Sequence, residues 1–150
     1  MNELLVTKRK FQKGFTLLEA VITVSIMGIL AAVVTPTYLD TQNEAKLVIS
    51  ESNVSQLKQG FINLYLIGLF DSNLDVWPDE PADNQMTFEW ANATLLFDGR
   101  NVSQLFSGSK IIMNPYGNPF LYYNLAATAQ ESAGIRIDDP DTGISQSFRP

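Results

Sequence analysis

The sequence predicts an α+β protein in which one long N-terminal helix, membrane-spanning over its first half, packs on a small antiparallel sheet. Three observations lead there. Residues Ala20 to Leu39 carry no charge; the stretch that follows keeps helical spacing of its apolar residues; and beyond Phe70 that spacing gives way to short β-branched and aromatic segments parted by turn residues. At 150 residues and 45% hydrophobic content, the chain suffices for one compact head plus one membrane or signal segment, and not for two full domains.

The first element is the run AVITVSIMGILAAVVTPTYL, which at about 1.5 Å per residue crosses a hydrocarbon core of about 30 Å. Lys8, Arg9, Lys10 and Lys13 precede it. The positive-inside rule keeps that basic cluster cytoplasmic and sends everything after Leu39 to the far side, periplasmic or extracellular. A Sec signal peptide has the same layout, but its apolar region runs about 7 to 15 residues and gains nothing from a carboxylate such as Glu19. Pro36 lies inside the helical stretch, removes a backbone hydrogen bond and crowds the preceding turn, so a kink or local melting is expected there.

Past Pro36 the helical pattern continues, with Leu47, Val54, Leu57, Phe61, Leu64 and Gly68 at spacings of three, four or seven. This stripe is the expected spine against which the sheet packs. Pro78, Pro81 and a run of Asp, Glu and Asn then mark a loop. Strands are expected at Met86 to Trp90, Ala93 to Phe97, Lys110 to Met113 and Phe120 to Leu125, forming three or four antiparallel strands separated by turns such as Asp98-Gly99 and Asn114-Pro115-Tyr116-Gly117-Asn118-Pro119. The segment Ile135 to Gly143 gathers Asp138, Asp139 and Asp141 in one expected loop. Such oxygen ligands are weak calcium candidates, and a solvated acidic turn is the preferred reading.

Composition removes whole classes of chemistry. With no cysteine and no histidine, the chain has no disulfide, no thiolate metal site, no Ser-His-Asp triad and no HExxH zinc site. No catalysis is expected. Residues after Gly14 hold six basic side chains against fifteen acidic ones, a net charge near −9, which repels nucleic-acid phosphates.

Lys13-Gly14-Phe15-Thr16-Leu17-Leu18-Glu19, followed by the apolar run and Pro36, resembles the prepilin signature shared by type IV pilins and type II secretion pseudopilins. The resemblance implies a pilin-like fold and a dedicated prepilin peptidase that cuts between Gly14 and Phe15 and methylates Phe15 as the new N-terminus. It implies a role for Glu19, whose carboxylate in lipid needs a partner: the positively charged N-terminus of a neighbouring subunit, aligning each incoming copy. Pro36, in the family's pattern, marks a stretch that bends or unwinds as subunits pack. The segment Asn114 to Phe120 is similar to a turn of major pseudopilins, although its prolines and Gly117 also account for it as a plain hairpin turn. Major pseudopilins carry a C-terminal calcium site and most extracellular pilins a C-terminal disulfide; this chain lacks both the Gly-Asp-Gly-rich tail of the former and the cysteines of the latter.

The expected organisation is a cytoplasmic leader, 1–14, a transmembrane and polymerisation helix, 15–39, and a periplasmic or extracellular head, 40–150, that includes the rest of the helix. The expected function is a pilin, major or minor, of a type IV pilus or pilus-like filament serving adhesion, attachment or motility. Alternatives are a pseudopilin of type II secretion and a membrane-tethered monomeric binding module. The expected partners are the prepilin peptidase, other copies or other pilins in a helical filament, an inner-membrane assembly platform and the inner membrane itself, without nucleic acid and without a required cofactor. Small residues such as Gly28, Ala31 and Ala32 would let neighbouring helices approach closely.

Overall fold

The computed structural model describes residues 14–70, 77–106 and 112–150. Helix α1, Leu17–Phe70, is 54 residues long and runs through Pro36 without a break, so of the kink or local melting expected at that proline the melted form is not seen. Proline costs the one amide bond that would reach the Ala32 carbonyl, and one residue earlier the Thr35 hydroxyl donates to the Ala31 carbonyl at 2.6 Å. Thr23, Ser25 and Thr41 fold back in the same way onto the carbonyls of Glu19, Val21 and Thr37. The hydroxyls of Thr23, Ser25 and Thr35 in the apolar stretch are thereby satisfied within the helix, which suits a segment in lipid.

By its contacts the chain divides into two units, 1–42 and 43–150. In the first unit no described residue is buried, and the apolar part of the helix, with a mean hydropathy of 2.4, is long enough to cross a membrane. In the second unit one face of α1 is buried at Ser50, Val54, Leu57, Phe61, Leu64 and Gly68. Their alternating steps of four and three residues hold the stripe to a single side. Leu47 was expected in that stripe and is 46% exposed; Ser50 occupies the next position in phase.

The sheet comes from the last third of the chain. β1, Leu121–Leu125, pairs antiparallel with β2, Gly134–Asp138, which pairs antiparallel with β3, Ser145–Phe148. Tyr122 sits opposite Ile137, and both are fully buried. Phe61 of α1 stacks on Tyr122 at 5.0 Å between ring centroids and meets the edge of Phe106 at 5.9 Å. Tyr65, Trp77 and Phe148 form a second aromatic group beside it. Buried aromatic pairs of this kind add about 0.5–1.5 kcal/mol beyond their area.

Two expected strands are not strands. Met86 to Trp90 leads into a short helix, α2, Phe88–Ala93, because Thr87 caps it by accepting from the Trp90 amide at 3.2 Å. Ala93 to Phe97 makes only a single bridge, Leu95 to Asn101, ahead of a 3-10 turn at Val102–Leu105. Of Lys110 to Met113, Lys110 and Ile111 lie outside the described residues, and Met113 makes an isolated bridge to Pro119. Conversely, Ile135 to Asp138, read as the start of an acidic loop, is the central strand.

Candidate functional site

Two places concentrate the candidate residues. The first is the start of α1. Gly14, Phe15 and Thr16 precede the helix in exposed, non-helical backbone, and Phe15 is 72% exposed. Thr16 is followed three residues later by Glu19, the spacing of a capping box. The Thr16 hydroxyl accepts from the Glu19 amide at 3.2 Å, and the Glu19 carboxylate reaches back to the Thr16 amide at 3.4 Å. Glu19 therefore fixes the first helical turn, and its negative charge lies at the positive end of the helix dipole. The T-x-x-E signal was present in the sequence and points to a local role for Glu19 beside its implied partner. Pro36 lies seventeen positions further along the same helix.

The second place is the turn between β2 and β3, and it sorts the three acidic candidates. Successive strand residues face opposite sides, so Asp138 turns outward to the Ser145 hydroxyl at 2.5 Å and to Arg136 at 3.1 Å. Asp139 turns inward and is 1% exposed. One of its carboxylate oxygens accepts from the Asn114 side-chain amide at 3.0 Å and the Asp141 amide at 3.0 Å. The other accepts from the Ser50 hydroxyl of α1 and from the Thr142 hydroxyl at 2.8 Å. Burial alone would raise the Asp139 carboxyl, but the bonds from Ser50, Asn114, Thr142 and the Asp141 amide outweigh it and hold its pKa below the ordinary value.

Asn114 is the counterpart of Asp139. Its side-chain oxygen accepts from the Tyr116 and Asn118 amides at 3.0 and 2.8 Å. That fixes its orientation and turns its NH2 group toward the carboxylates of Asp139 and Asp141. Asn118 donates to the same Asp141 oxygen at 2.9 Å. Asn114 to Gly117 closes as a tight turn, with the Gly117 amide bonded to the Asn114 carbonyl at 3.0 Å and Gly117 at φ 85°, a conformation that glycine adopts without strain. The helix, this turn and the β2–β3 loop thus meet at one buried carboxylate. Ser50, Asn114, Asn118 and Thr142 were not foreseen; the legible hint was a serine at a core position of an otherwise apolar stripe.

Calcium binds through six to eight oxygen atoms. An ionised carboxylate has about four lone-pair sites, and at Asp139 four donors fill them. Among the described residues, no group of three or more acidic, histidine or cysteine side chains is placed to hold a metal ion.

Residues 9–35 match the family model of the prokaryotic N-terminal methylation motif. A fimbrial protein of Pseudomonas aeruginosa is 38% identical over 128 residues, covering 85% of this chain and 75% of the relative. The type II secretion system core protein G of Pseudomonas aeruginosa is 26% identical over 152 residues, covering 91% of this chain and 96% of the relative. The fimbrial protein EcpC of Eikenella corrodens is 39% identical over 77 residues, 51% of this chain and 44% of the relative. No solved structure is a significant match.

Proposed function

The chain belongs to the type IV pilin and pseudopilin family and is a structural filament subunit, and from that premise we propose that it builds a type IV pilus. It would enter the inner membrane by α1, lose its leader after Gly14 to the prepilin peptidase, and be methylated at Phe15. An inner-membrane platform would then add it to the filament, with the Glu19 carboxylate set against the N-terminus of a neighbouring copy. The single observation carrying the pilus reading is the 38% identity to a fimbrial protein, against 26% to the secretion protein.

A specific observation favours the second reading, a pseudopilin of type II secretion: the match to core protein G spans 96% of that protein. Shearing cells at native expression separates the two. A pilin is recovered in the sheared surface fraction. A pseudopilin stays with the cells, and its deletion stops protein secretion. Intact mass and N-terminal sequence of the membrane-extracted protein test the processing: a chain beginning at methylated Phe15 supports it, and one beginning at Met1 or near Thr35 to Tyr38 overturns it.

A further inference from the structure

We infer that the C-terminal turn of this head is locked without a metal, and that the Asn114 side-chain amide stands where a cation would otherwise bridge Asp139 and Asp141. The amide presents its two N–H groups to the two carboxylates, while its oxygen is held by the Tyr116 and Asn118 amides. Rotating the amide to offer oxygen inward would set oxygen against carboxylate oxygen and NH2 against two backbone N–H groups. Four repulsive contacts would replace four hydrogen bonds.

The surroundings repeat the pattern. Ser50, Thr142 and the Asp141 amide give Asp139 donors on every remaining lone pair, and Asn118 gives Asp141 a second. Both carboxylates are therefore stabilised by partial charges of fixed hydrogen-bond donors, and at the buried Asp139 the donor set is complete. With no cysteine in the chain, it is also the tie between α1, the Asn114 turn and the β2–β3 loop that needs neither a disulfide nor an ion. Asn114 is a positioning residue, and the inference stands whichever filament the chain builds. A subunit closed this way keeps its fold in calcium-poor and calcium-rich surroundings alike.

The test is thermal unfolding of the full chain in detergent, followed by tryptophan fluorescence of the head, in EGTA and in millimolar calcium. The wild type is expected to unfold at the same midpoint in both. Asn114→Asp removes the amide and adds a third carboxylate, so its midpoint in EGTA is expected to fall and calcium to restore it. A saturable calcium-dependent rise in the wild type overturns the inference. So does Asn114→Asp unfolding at the wild-type midpoint in EGTA, or a lowered midpoint that calcium leaves unmoved. Should Asn114→Asp not fold, Asp141→Asn decides: it keeps the amide bond to Asp139 and removes a carboxylate that a cation would need. Terbium luminescence excited through tryptophan, absent from the wild type and from Asp141→Asn alike, is the expected result; a wild-type signal that Asp141→Asn abolishes overturns the inference.

Discussion

Val33 and Val54 belong to the same uninterrupted helix, yet Val33 is 68% exposed and Val54 is fully buried. The contrast extends over both halves. From Ala20 to Leu39 the helix carries no charge, and none of those residues is buried; after Asn43 it has one buried face, and Phe61, Leu57 and Leu64 complete a core with Tyr122, Phe120 and Ile137. A helix apolar on every side is not a stable surface in water. The second half finds its apolar complement within the chain, whereas the first must find it outside, in lipid or in other copies of the family's helix. One element therefore serves two solvents, and substitutions should have different readouts on either side of the boundary.

The largest expected effect is on assembly. Glu19→Lys places a cation at the positive end of the helix dipole and opposite the implied N-terminus of the next copy, and is expected to abolish recoverable filaments. The unfolding midpoint of the head should not change, because among the described residues the Glu19 carboxylate hydrogen-bonds only to Thr16 of its own first turn. Filaments at wild-type yield would remove Glu19 from the assembly step and leave it only its capping role.

Next in size is a matched pair of truncations. Phe61→Ala opens the centre of the core between Phe106 and Tyr122 and is expected to cost about 3–5 kcal/mol, a fall of roughly ten degrees or more in the midpoint. Leu30→Ala, at a residue 59% exposed, is expected to leave that midpoint where it was. Equal losses for the two would break the comparison, since the first half would then be stabilising the head.

A third prediction uses acid. The Asp139 carboxyl is depressed in the folded head, so the unfolded chain binds its proton more readily. Its stabilising contribution is full above about pH 5, weakens as pH falls through the ordinary value of 3.8, and is lost below the depressed native value. Asp139→Asn leaves part of the donor set facing an NH2 group and should cost about 3 kcal/mol at neutral pH. The midpoint of that variant should also fall less steeply with acid than the wild type. An unchanged acid slope would show that other carboxylates set it.

The two halves also differed in how much of them could be read from residues alone. The apolar run, the basic cluster and the 3–4 spacing act locally and need no knowledge of what lies across from them. The start and path of α1 were legible for that reason, as was β1, whose aromatic strand follows a strong turn. α2 was not, because a single Thr87 cap outweighed the strand preference of Phe88 and Trp90. β2 and β3 were hidden because Arg136, Asp138, Ser145 and Ser147 alternate with the inward residues and read as polar loop. The Asp139 network joins residues 50, 114 and 139, and local spacing carries no signal across such separations; the acidic cluster was visible, but not which carboxylate turned inward.

The smallest effect on the single chain comes from glycines, and it sharpens the comparison most finely. A Cβ at Gly134 would lie 2.3 Å from the Phe148 carbonyl oxygen, a backbone atom that cannot swing aside, so Gly134→Ala must spread β2 from the end of β3 and should cost about 2 kcal/mol. At Gly28 an added Cβ meets nothing within 4 Å, and alanine is the better helix former by about 1 kcal/mol. Gly28→Ala is therefore expected to leave the detergent-solubilised chain as stable as before, or slightly more so. If the small residues of the first half let neighbouring helices approach closely, the same methyl group should lower filament yield while the monomer is unharmed. A Gly28→Ala strain with full filament yield would mean that no close helix approach uses this position, and the surface of the first half would then meet its neighbours elsewhere along its length.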